Sequence, residues 1–95
     1  MAPKPTVDLK TRQRIAANMR LLKWENRFDS DAAMAAVLGM SRSALGRYLK
    51  GERTPGLDVL LLVHRKLGVS LDWLSDRDPP KEWFDVDYKG PHPKR

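Results

Sequence analysis

Arg42, Ser43, Arg47 and Lys50 place cations and a hydroxyl at spacings that a helix would gather on one side. At about 100° per residue, Ser43, Arg47 and Lys50 share a face of a helix running from Arg42 to about Lys50. Leu45, Tyr48 and Leu49 cluster on the opposite face, Arg42 stands near the exposed amino end, and Gly46 lies beside the cations. A planar guanidinium donates paired hydrogen bonds to phosphate or to the major-groove edge of guanine, and a short Ser side chain adapts to either. Small residues between the cations let the helix backbone approach a polyanion. An ordinary solvated basic face has the same pattern. Gly46 argues against that plainer reading, because glycine inside a helix costs about 1 kcal/mol relative to alanine.

The stretch from Ser30 to Gly51, SDAAMAAVLGMSRSALGRYLKG, supplies the scaffold for these side chains. Ala32, Met34, Ala35 and Leu38 are apolar at helical spacing, and Gly39-Met40-Ser41 then breaks the pattern. Gly39 occupies the place where a helix ends in a left-handed residue, and Ser41 is a good N-cap for the next helix. Met40 and Leu45 flank that cap as a hydrophobic staple, and Gly51 closes the second helix. Two short helices around a tight turn are expected.

The bulk properties narrow the partner. Ninety-five residues make one small domain, and the absence of Cys excludes disulfides and thiolate metal sites. The amino-terminal MAPKPTVDLK has no apolar leader segment, and the longest apolar run is too short to span a bilayer. A soluble, cytoplasmic protein without membrane contact is expected. The net charge of +6 is confined to residues 1–53, where 11 Lys/Arg face 5 Asp/Glu; residues 54–95 hold seven of each. An anionic partner for the first half follows, nucleic acid first.

Around that unit, residues 1–6 read as a flexible arm carrying Lys4. A helix then starts between Thr6 and Thr11 and runs to about Asn26, with Ile15, Met19 and Leu22 facing inward and Lys10, Arg12, Arg14, Arg20 and Lys23 solvated. Asp29 or Ser30 caps the next helix. After the turn at Thr54-Pro55-Gly56, a fourth helix over about Leu57 to Leu67 is expected to bury Leu57, Leu60, Leu61 and Leu67, with His64 packed on the same stripe. Ser70 caps a short fifth helix, in which Leu71 and Leu74 pack inward and Trp73 is partly exposed. Beyond the linker DRDPP, the alternation from Glu82 to Tyr88 places Phe84, Val86 and Tyr88 on one face of a strand.

In this register the chain resembles the helix-turn-helix domain of phage repressors and Cro-like regulators, over about Ile15 to Leu74. The resemblance rests on Gly39-Met40-Ser41, Leu45, Tyr48, Gly51, Thr54-Pro55, Leu57, Leu60 and Leu67-Gly68-Val69-Ser70-Leu71-Asp72-Trp73-Leu74 taken together. It implies an all-α, five-helix domain over 7–75, preceded by the arm and followed by an extension over 76–95. It implies that the third helix enters the major groove, with Arg42, Ser43 and Arg47 on base edges. Phosphate contacts then fall to Lys50, Arg53 and Thr54 near the Gly51 turn, to Ser30 at the start of the second helix, and to Lys4 in the arm. Ser30-Asp31 stands where the family often has Gln, His64 where it usually has a small residue, and the tail beyond Asp76 has no counterpart.

The resulting expectation is a sequence-specific regulator of double-stranded DNA, a repressor of phage or antitoxin type acting as a homodimer on a pseudo-palindromic operator. The alternative is a helical adaptor whose protein partner docks on the tail. Trp83, Phe84, Val86 and Tyr88 are the dimerisation candidates, through strand pairing; the other reading folds the tail back over its own domain. No catalytic constellation, cofactor or metal site is expected, since His64 and His92 stand without paired carboxylates or a phosphate-binding glycine loop.

Overall fold

The structure is a computed structural model describing residues 8–91; the arm with Lys4, and His92, lie outside them. Asp8 starts α1 (Leu9–Glu25) by accepting from the Thr11 amide at 2.8 Å, and the bonds from Thr11 hold its carboxyl below the usual carboxylate value. That cap is therefore fully formed at neutral pH and weakens as pH falls through the lowered value. α1 stops at Asn26, and Arg27 turns the corner with a left-handed φ of 58°. Ser30 caps α2 (Asp31–Leu38) by accepting from Ala33 N at 3.1 Å. Ser41 caps α3 (Arg42–Leu49) in the same way through Ala44 N. Between them Gly39 takes φ 76°, a conformation that only glycine adopts without strain, and its amide returns to Ala35 O at 2.8 Å. α4 (Leu57–Leu67) and α5 (Leu71–Ser75) follow, and Ser70 caps α5 at 2.9 Å.

The main core draws Ile15, Met19 and Leu22 from α1, Met34, Ala35 and Leu38 from α2, and Leu45 and Leu49 from α3. Val63 and Leu74 close it from α4 and α5. A second, smaller core lies on the other side of α1, where Ala17 and Leu21 pack with Trp83. α1 is therefore covered on two faces, by the helix-turn-helix unit and by the C-terminal extension. Polar side chains of α1 grip the segment between them. Asn18, fully buried, donates its amide to Leu74 O and Arg77 O at 3.1 and 2.9 Å, and Arg14 pairs with Asp78 at 2.9 Å.

Two expectations are corrected here. The strand over 82–88 does not form among the described residues: Lys81–Phe84 make one 3-10 turn, and Trp83 points inward. The reason is the lack of any strand to pair with in an all-helical domain, while Trp83 finds an apolar seat on α1. The backbone bonds stay local, from Trp83 N to Pro80 O and from Tyr88 N to Asp85 O. On α4, Val59 and Val63 are buried, whereas Leu57 is 64% exposed. His64 is exposed rather than packed; its Nδ1 lies 2.7 Å from Val69 O, tying the end of α4 to the loop before α5. Apolar residues occupy nearly every side of α4, so their spacing did not fix its rotation.

Candidate nucleic-acid interface

α3 is anchored by the fully buried Leu45 and by Leu49, and this fixes what it turns outward. Arg42, Ser43, Arg47 and Lys50 are all exposed. They line one open groove of ≈ 570 Å³ between α3 and the first turn of α2. Among the described residues the ion pairs are Arg14–Asp78 and Lys23–Asp31, so Arg42, Arg47, Lys50 and Arg53 make none, although Glu52 lines the same groove. Cations held on a rigid helix without protein partners are ready for phosphate or base edges.

The other side of the groove is the start of α2. Ser30 lies there, exposed, with its hydroxyl occupied as the α2 cap acceptor. The first amides of α2 still lack intrahelical acceptors, as at any helix start. Asp31 is held by Lys23 at 2.8 Å, so one carboxylate in the groove is already balanced. Lys23 reaches this position from the last turn of α1, a placement that sequence spacing did not signal. Gly46 is half-buried, and a Cβ there would sit 3.7 Å from Asp31 Oδ2 at ordinary contact distance. Arg53 is exposed beyond the Gly51 turn and Thr54 is half-buried.

The four tail candidates divide into two pairs. Trp83 is buried at 4% exposure, and Tyr88 packs edge-on against it at 4.9 Å between ring centroids. Phe84 and Val86 face solvent. Arg20, expected to be solvated, lies partly buried between α3 and the extension. It donates from one terminal nitrogen to Leu49 O at 2.6 Å and from the other to Trp83 O. Burial pushes its pKa below the usual arginine value, and the charge of Asp85 acts against that shift. No local sequence signal links position 20 to positions 49 and 83.

Among the described residues no group of His, Asp or Glu is placed to hold a metal ion, and no helix is long and apolar enough to cross a membrane. No curated protein and no solved structure matches the chain. A family model described as helix-turn-helix matches residues 30–74, the span from the cap of α2 through α5. That match, the Gly39 turn and the outward cations of α3 support a DNA-binding transcriptional regulator similar, over residues 30–74, to the helix-turn-helix domain of phage repressors and Cro-like proteins.

Proposed function

We propose that the protein is a repressor of phage or antitoxin type that binds a pseudo-palindromic operator as a homodimer. The observation that carries this reading is the groove in which Arg42, Ser43, Arg47 and Lys50 lie together, exposed and unpaired by any acidic side chain. α3 enters the major groove, Arg42, Ser43 and Arg47 read base edges, and Lys50, Arg53, Thr54 and Ser30 meet phosphates. Lys4 of the arm adds a further phosphate contact.

One copy covers too few base pairs to be selective among genomic sites, so a second copy is required. Phe84 and Val86, turned outward from the extension, supply the apolar contact between copies. This contact uses side chains and needs no strand pairing. Selection of bound sites from random duplexes tests the whole reading. It should return a two-fold symmetric motif with half-sites about 34 Å apart. Recovery of no motif would reject it.

A further inference from the structure

We infer that Arg20 is a positioning residue through which the C-terminal extension holds the recognition helix in place. The inference rests on the assignment of α3 as the reading helix.

α3 is only eight residues long. Its core anchors, Leu45 and Leu49 with Tyr48 beside them, are apolar contacts and carry no directional bond to the rest of the fold. The carbonyl of Leu49 is one of the last four of α3, which have no amide of their own helix to accept from. Arg20 satisfies it from 29 residues away, with a cation at the negative end of the helix dipole. The other terminal nitrogen of the same guanidinium is committed to Trp83 O, within the 3-10 turn. The guanidinium is planar and rigid, so the two carbonyls are held at a fixed separation. Trp83 is in turn wedged against Ala17 and Leu21 of α1.

Stability alone does not account for this arrangement. The guanidinium is partly withdrawn from water, and its buried Nε has no hydrogen-bond partner. Burying a cation with a donor unpaired is costly, and this offsets part of what its bonds to the two carbonyls contribute. What the arginine adds is a directional link between two segments far apart in sequence. The matched family segment, residues 30–74, contains Leu49 but neither Arg20 nor Trp83. The role of the extension here is to set the angle at which Arg47 and Lys50, on the last turn of α3, meet the duplex.

The test compares the full chain with Arg20→Met and Arg20→Lys. Arg20→Met should remain folded, bind the selected operator about tenfold or more weakly, and keep the parent's salt slope. Amide exchange in the free protein should accelerate at Lys50 to Arg53 and at Phe84 to Val86 in that variant. Arg20→Lys retains the charge and reaches one carbonyl, so it should recover part of the affinity. In a Trp83→Ala background, Arg20→Met should weaken binding less than it does in the parent, because the acceptor turn is already loosened.

Parent-level affinity and parent-level exchange in Arg20→Met would overturn the inference. A salt slope reduced by about one unit would also overturn it, by making Arg20 a direct phosphate contact. If Arg20→Met does not fold, Arg20→Lys decides: faster exchange at one of the two segments supports the link, and unchanged exchange at both rejects it. The exchange measurement needs no DNA. A parent that selects no operator would therefore reject the reading-helix assignment and leave the mechanical link separately decided.

Discussion

Gly90 crosses Trp24 so closely that a Cβ on Gly90 would lie 2.5 Å from the indole Cδ1 and Nε1. Gly90 also takes φ 90°, outside the range of ordinary side-chain-bearing residues. Both constraints exclude any other residue while the extension stays seated beside the tilted Trp24–Trp83 pair, whose centroids are 5.9 Å apart. Gly90→Ala should therefore cost about 1–3 kcal/mol of stability and shift the tryptophan emission towards that of exposed indole. Parent-like denaturation and emission together would show that the chain end is not held there.

Trp83 and its neighbours should separate folding from assembly. Phe84 and Val86 are 38% and 48% exposed, so Phe84→Ser with Val86→Ser should lower stability by about 1–2 kcal/mol and leave the protein folded. Sedimentation of that double variant should show monomers where the parent shows dimers. A dimeric double variant would place the contact elsewhere on the protein.

On α3 and the turn beyond it, readers and anchors should differ in kind. Arg42→Ala and Arg47→Ala should each weaken operator binding by about 1–3 kcal/mol and flatten the base preference at one position of the selected motif. Lys50→Ala and Arg53→Ala should weaken all duplexes alike and lower the salt slope by about 0.9 each. An unaltered motif in both arginine variants would remove them from base reading.

Gly46 offers a measurement in which stability and binding can move apart. The site accommodates a methyl group at contact distance from Asp31, so Gly46→Ala should raise stability by about 1 kcal/mol. Operator affinity should fall despite the gain in stability, because the added methyl group holds the backbone of α3 away from the duplex. Affinity within about twofold of the parent would show that Gly46 makes no close approach to DNA.

The helix-turn-helix unit was legible because its signals are local. Ser30, Gly39 and Ser41 each act on amides or carbonyls within a few residues, and each occupies its expected place. The outward set on α3 was legible for the same reason, since burying Leu45 and Leu49 dictates what faces away. The rotation of α4 was not legible. Its seven apolar residues in eleven positions surround the helix, and tertiary contacts alone select Val59 and Val63. Nor was the second covered face of α1, because Ala17 and Leu21 acquire meaning only when Trp83 arrives. The alternation from Phe84 to Tyr88 was a genuine period-two pattern, but a strand is a pairwise object and no partner was present. Arg20 and Lys23 looked like two more solvated cations on a basic helix. The partners of Arg20 lie 29 and 63 residues away, and that of Lys23 on the next helix.

The double covering of α1 also imposes an order in time. Arg20 and Trp83 are 63 positions apart, so a growing chain completes α1 through α5 before the turn that closes the second core leaves the ribosome. Until then Ala17, Leu21 and Trp24 face water, and the Leu49 carbonyl has no second anchor behind its arginine. An interrupted chain that stops before residue 83 thus carries Arg42, Ser43 and Arg47, the proposed base readers, on a helix that lacks the link from Arg20 to Trp83. On the proposed reading, such fragments should compete poorly with finished protein for an operator, which would make completed synthesis a condition of tight binding.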